Sequence, residues 1–126
     1  MTDPQAATAA LKHSFDTGDR SEWEALFAPG CVNWHNSDKQ VVPAVGFNGA
    51  AALATIVDDL HADILQTESF PGGLLIRFAI RGTVIASGRD LEAHNCLIVT
   101  DGDDGITRID DYVDPTLIEQ LTAEAT

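Results

Sequence analysis

Residues 106–113, Ile-Thr-Arg-Ile-Asp-Asp-Tyr-Val, alternate as a strand does. Thr107, Ile109, Asp111 and Val113 share one face, and Arg108, Asp110 and Tyr112 share the other. The first face is the apolar one, yet it carries the carboxyl of Asp111. A carboxyl group turned into an apolar interior must be paired, hydrogen-bonded or protonated. Desolvation raises its pKa towards neutrality, where it can serve as a general acid or base. The same residue also fits a structural part, anchoring a neighbouring backbone or pairing with Arg81. His35 lies in Asn33-Trp34-His35-Asn36, a polar stretch with one large aromatic. Its imidazole can shuttle protons or orient a ligand carbonyl, or simply hydrogen-bond at the end of a strand. His94 shares a face with Cys96 and Ile98, opposite Leu91, Ala93, Leu97 and Val99. Both of those faces are partly apolar, so alternation does not decide which one looks inward.

Other chemistries find less support. Two histidines and Asp111 are the residue types of a facial-triad metal site. No His-x-x-x-His helix or Cys pair accompanies them, and neither metal nor cofactor is expected. The acidic stretch 101–105 is not a calcium loop, since its glycine falls at the fifth position and Tyr112 replaces the closing Glu. It reads as a hairpin turn. Gly-x-Ser-x-Gly, P-loop and Gly-x-Gly-x-x-Gly patterns do not occur.

These candidates need elements to position them. Asp3-Pro4 caps and opens a helix whose stripe is Ala7, Ala10, Leu11 and Phe15, stopped at Gly18. Ser21 and Glu24 form a capping-box pattern for a second helix, which is expected to bury Trp23, Leu26 and Phe27 and end at Ala28-Pro29-Gly30. Residues 31–36 predict a short strand and 37–48 a loop. Asn48 is the expected cap of a third helix carrying Ala52, Leu53, Ile56, Val57 and Leu60. After His61 the period becomes two, predicting strands over 62–70, from Leu74 towards Ala86, over 90–100 and over 106–113. On the second of these, Leu74, Ile76, Phe78, Ile80 and Val84 share a face while Arg77 and Arg81 point away, and Gly82 marks a bulge. Pro115 opens a terminal helix through Leu121. Helices first and a meander of strands second predict an α+β fold with an antiparallel-rich sheet. Such a sheet, strongly curved, forms an open cone around the helices and leaves a pocket at its wide end.

The 126 residues make one domain, 1–126. Hydrophobic residues are 44% and charged residues 21%, as in folded globular chains. Seven Lys+Arg against twenty Asp+Glu leave a formal charge of −13, the wrong sign for displacing counterions from nucleic acid or for binding an anionic membrane surface. No apolar run reaches the roughly 20 residues that span a bilayer. Met1-Thr2-Asp3-Pro4 lacks the start of a signal peptide, so a cytoplasmic location is expected. Cys31 and Cys96 are then free, small apolar residues.

Three patterns carry a resemblance: Phe27-Ala28-Pro29-Gly30-Cys31-Val32-Asn33-Trp34-His35-Asn36, then Gly46-Phe47-Asn48-Gly49 opening a helix, then Gly105-Ile106-Thr107-Arg108-Ile109-Asp110-Asp111-Tyr112-Val113-Asp114. With the order of elements, they resemble the SnoaL-like branch of the nuclear transport factor 2-like superfamily over nearly the whole chain. The resemblance implies a cone-shaped mixed sheet around a helix-covered pocket, commonly dimerised through the sheet's outer face. It leaves the reaction open, because such cones host isomerases, cyclases, dehydratases, epoxide hydrolases and non-catalytic binders. Asp111-Tyr112-Val113-Asp114 resembles the Asp-Tyr-Phe-Asp motif of limonene-epoxide hydrolases, whose first Asp handles the attacking water. The Arg and Asp those enzymes need on the long strand fall on Ala79 and Arg81. Their Tyr-x-Asn pair matches Trp34-His35-Asn36 only with one residue inserted. Against ketosteroid isomerases, the Asp base falls on His35, the oxyanion-donating acid on Cys96 and the oxyanion tyrosine on Leu11. Neither catalytic set is complete.

The expectation is a pocket for a small apolar molecule in a homodimer. It serves either cofactor-free proton transfer (isomerisation, cyclisation or dehydration) or binding without chemistry. Asp111 is the expected acid or base, assisted by His35. Trp34 and Phe15 pack the ligand, Asn36 and His94 hydrogen-bond it, and Cys96 and Arg81 are further candidates for the lining. A shift of one position in 31–36 exchanges Trp34 and Asn36 for Asn33 and His35 on the inner face, and both registers remain open.

Overall fold

The computed structural model describes residues 1–122. Helix α1 (Pro4–Thr17) starts where Asp3 accepts the Gln5 N–H at 3.1 Å with proline in the first turn. It stops where Gly18, at φ 79°, donates its N–H to the Ser14 carbonyl at 2.9 Å. Its buried stripe is Ala7, Ala10, Leu11 and Ser14. Then follow α2 (Ser21–Glu24), β1 (Phe27–His35), β2 (Val41–Pro43), α3 (Gly49–Ala54), β3 (Val57–Phe70), β4 (Gly73–Val84), β5 (Asp90–Gly102), β6 (Gly105–Tyr112) and α4 (Leu117–Thr122).

The six strands form one sheet in the order β2-β1-β6-β5-β4-β3. β1 runs parallel to β6, and every other neighbour is antiparallel. The expected α+β class and helix-covered mixed sheet are present. The inner face carries Leu74, Ile76, Phe78, Ile80, Leu91, Leu97, Val99, Ile106 and Ile109, all buried. α1 closes over the β3 edge of the sheet. Lys12 Nζ donates to the Ala62 carbonyl at 2.7 Å, and Asp16 Oδ1 accepts the Ala62 N–H at 3.0 Å. Two backbone groups of an edge strand are thus satisfied by helix side chains, which also blunts the edge.

Three boundaries differ from expectation. The second helix ends at Glu24 rather than near Gly30, because Phe27 already pairs with Ile106 and the Ile106 N–H donates to Leu26 O at 2.9 Å. Residues 41–43 lie in the expected loop but pair with 32–34 as β2. The third helix stops at Ala54, and Val57 and Leu60 belong to β3. In β3, Asp58 pairs with Thr83 and His61 with Arg81, so Asp59 and Leu60 together oppose the single residue Gly82. This bulge, with Asp59 at φ 55°, puts Val57 and Leu60 three positions apart on a buried face, the spacing of a helix. The bulge expected at Gly82 therefore lies on the partner strand. Gly82 faces it because a Cβ there would meet Val57 Cγ1 at 2.5 Å and Asp58 O at 2.7 Å.

Candidate functional site

A cavity of about 250 Å³ lies between the inner sheet face and the helices. Leu11 and Phe15 of α1, Trp23 of α2, Leu53 of α3 and Leu117 and Leu121 of α4 line one side. Phe78, Ile80, Leu97 and Ile109 line the other. Phe15 leans on Phe78 with ring centroids 5.4 Å apart. The volume is just below the roughly 300–1,000 Å³ of sites for drug-sized ligands, so a small molecule fits.

Polar groups enter this apolar wall chiefly from three strands. The parallel pairing sets His35 beside Asp111, and alternation then turns Asn33, His35 and Asp111 inward together. His35 Nε2 is 3.4 Å from Asp111 Oδ2 and 3.0 Å from Asn33 Nδ2. The two ionisable side chains are only 12% and 17% exposed. Burial pushes the Asp111 carboxyl up to about 7. Burial also pushes the His35 imidazole down, against a smaller opposing pull from the Asp38 charge. Both shifts favour the neutral forms. Asp111 Oδ1 is buried and has no hydrogen-bond partner among the described residues. The carboxyl can therefore give or take a proton near neutral pH, with a neutral imidazole beside it and one oxygen free of other work. Phe47 packs on the His35 ring, centroids 4.7 Å apart, and covers the pair from the 44–48 loop.

Of the expected site residues, Asp111, His35 and Phe15 line the cavity, while five others do not. Trp34 faces outward, edge-on to Tyr112 at 5.4 Å, because His35 takes the inner position beside Asp111. Asn36 clamps the strand ends instead: its Oδ1 accepts the Val113 N–H at 2.9 Å and its Nδ2 donates to the Val113 carbonyl at 3.4 Å. His94 is exposed beside Glu92, and Cys96, next to it in parity, lies on the same outer face. Arg81 also points outward, as its own alternation requires, and bridges Asp63 at 2.7 Å and Glu92 at 2.9 Å. It lies away from Asp111, so the pairing of these two is ruled out.

Sequence reasoning passed over three polar lining residues, Ser14, Asn95 and Arg20. Asn33 belonged to the register left open. Asn95 is 4% exposed, and its Oδ1 accepts the Asp114 N–H at 3.1 Å. It shares parity with Leu91, Ala93, Leu97 and Val99, so it is the polar exception on an apolar face, the same signal that marked Asp111.

No family model matches the chain, and neither does any curated protein. Solved structures do match. IdmH of Streptomyces antibioticus, a candidate polyketide cyclase, is 20% identical with a TM-score of 0.77, covering 95% of this chain and 99% of its own. A protein of Catenulispora acidiphila with a ketosteroid isomerase-like fold, solved with trimethylamine, is 14% identical with a TM-score of 0.75, covering 94% and 93%. A nuclear transport factor 2-like protein of Burkholderia thailandensis is 15% identical with a TM-score of 0.76, covering 96% and 98%. The fold is nuclear transport factor 2-like. Nuclear transport factor 2-like neighbours also include a candidate SnoaL-like polyketide cyclase from Jannaschia, 17% identical with a TM-score of 0.72 over 98% and 97%. At these identities the likeness speaks to architecture, and the chemistry rests on the side chains. Among the described residues, no helix is long and apolar enough to cross a membrane.

Proposed function

We propose that the cavity binds a small, mostly apolar carbonyl compound and moves a proton on it without a cofactor. Ionised Asp111 takes a proton from the carbon next to the carbonyl, leaving an enolate and a neutral carboxyl group. Three outcomes follow from the same acid. Return of the proton at another carbon is isomerisation. Protonation of a departing hydroxyl, which leaves as water, is dehydration. Attack of the enolate on a second carbonyl, with the resulting alkoxide taking the proton, is cyclisation. Asn33 Nδ2 orients the His35 ring by donating to its Nε2, which stands 3.4 Å from the carboxyl, and the second N–H of Asn33 offers a hydrogen bond to the developing oxyanion.

One observation carries this reading: a carboxyl raised by burial to about 7 stands against an imidazole in an apolar cavity. The candidate polyketide cyclases among the neighbours add support for the cyclising form. The test is hydrogen–deuterium exchange at carbon in small enolisable ketones in D₂O, followed by NMR. A positioned base contributes roughly a hundred- to ten-thousand-fold, and Asp111→Asn should lose that factor while ligand affinity holds. Wild-type exchange no faster than buffer would leave a binding module with no chemistry. The expected homodimer stands as a companion proposal. Its support is the Trp34–Tyr112 aromatic pair on the outer sheet face, with Ile98 across Asp110 from Trp34, and its check is sedimentation velocity.

A further inference from the structure

Arg20 is the cavity-lining cation whose bonding the fold leaves unfinished. It precedes α2, and its side chain is 14% exposed. A guanidinium carries five N–H donors. One Nη2 donor reaches the Ala44 carbonyl at 3.2 Å. Nε is buried and has no hydrogen-bond acceptor among the described residues. Glu24 Oε2 stands 3.8 Å from Nε, beyond hydrogen-bond length, and already accepts the Gly46 N–H at 2.8 Å. The other polar groups on the wall are differently placed. Ser14 Oγ donates to Leu11 O, Asn48 caps α3, Asn95 holds Asp114, and Asn33 holds His35. A half-buried cation that is ion-paired with Glu24 yet keeps a buried donor without an acceptor gains from a further acceptor, and an oxyanion accepts most strongly.

We propose that Arg20 seats a carboxylate, so that the ligand is a small apolar acid lying between Arg20 and the Asp111–His35 pair. This rests on the cavity being a ligand site and extends it to the class of ligand. The spacing suits a chain of several carbons. Ala44, which holds Arg20, donates its N–H to Cys31 at 3.0 Å, four residues along β1 from His35. Four residues are roughly 13 Å of strand, which the side chains shorten by reaching inward. The surrounding net charge of −13 repels anions at a distance, so a local cation is what allows an acid to bind. A largely protonated Asp111 adds no second repulsion below neutrality.

Calorimetry with 3-phenylpropanoate, 4-phenylbutanoate and 5-phenylpentanoate, each against its primary amide, tests this on the intact chain. The wild type is expected to bind at least one acid tenfold or more tighter than its amide. Arg20→Gln should bring that ratio to near one, and Arg20→Lys should keep part of it. His94→Ala, exposed and outside the cavity, should leave the ratio intact, and because the readout is binding, an absence of ketone exchange does not touch this proposal. Equal binding of acids and amides, no binding of either, or a preference that survives Arg20→Gln overturns it. If Arg20 served only to hold Ala44, Arg20→Gln would lower the melting temperature and leave the ratio unchanged.

Discussion

Asp111→Asn should make the protein more stable at pH 8 and leave it nearly unchanged at pH 4. The reason is linkage. In the unfolded chain the carboxyl titrates at its ordinary 3.8, and in the fold burial raises it to about 7. Between those values the folded state holds a proton that the unfolded state has released, so stability falls as pH rises through this window. Above about 7 both states are ionised and the loss is complete. About three pKa units at 1.36 kcal/mol each is about 4 kcal/mol. Asparagine keeps the shape and carries no charge to bury, so it escapes this loss. At roughly 4 °C per kcal/mol for a chain of this size, the variant should melt on the order of 15 °C higher at pH 8. His35 acts in the opposite sense. Its imidazole is pushed down by burial, so the fold loses stability as pH falls below 6.5 and the unfolded chain takes up a proton. The difference between wild type and variant, measured by calorimetry or urea unfolding from pH 4 to pH 9, separates the two trends. Parallel curves, or a variant less stable at pH 8, would refute the claim that Asp111 is buried against its own ionisation. A difference curve of the expected sign would show a group retained at a cost to stability, the usual mark of a working residue.

Three further outcomes follow from the geometry. Gly82→Ala drives a Cβ to 2.5 Å from Val57 Cγ1 and 2.7 Å from Asp58 O opposite the β3 bulge, and should cost about 2 kcal/mol in urea unfolding. Asn36→Ala removes both bonds to Val113 and should cost about 1–2 kcal/mol; it should also slow ketone exchange, since it loosens the strand ends that bring His35 to Asp111. His94→Ala alters an exposed side chain outside the cavity and should change neither ligand affinity nor stability beyond about 0.5 kcal/mol.

The sequence showed most where one face of a strand was apolar throughout. β4 has such a face, and there alternation placed Phe78 and Ile80 inward and Arg81 outward, as found; on β6 it placed Ile109 and Asp111 inward but also Thr107, which is exposed because a bulge there buries Ile106 instead. α1 was legible from Asp3-Pro4 to Gly18 because its cap, proline and glycine act locally. β3 was misread at its start for a physical reason. A bulge imposes a three-residue spacing on Val57 and Leu60, and periodicity cannot distinguish that from a helix. β1 was undetermined because its inner face mixes Cys31, Asn33 and His35 while the bulky Trp34 lies outside. What sets its register is a parallel pairing with residues more than seventy positions away, and nothing local encodes it.

The same division explains the site. Asp111 and Asn95 are polar exceptions on regular apolar faces, so the rule that found one also marks the other. Arg20 has no such signature. It sits at a helix start, where a charged residue ordinarily faces solvent, and it is half-buried where it donates to the Ala44 carbonyl of a loop that Glu24 also holds through the Gly46 N–H. The Asp111–His35 pair is thus a product of strand periodicity plus one non-local pairing. The guanidinium is a product of a loop's path, and nothing local in the sequence encodes it. A cavity with an acid–imidazole pair and a separate cation can hold a substrate at two points. Two-point attachment is what a proton transfer at one chosen carbon requires, because a freely tumbling apolar molecule would present every carbon to Asp111 in turn.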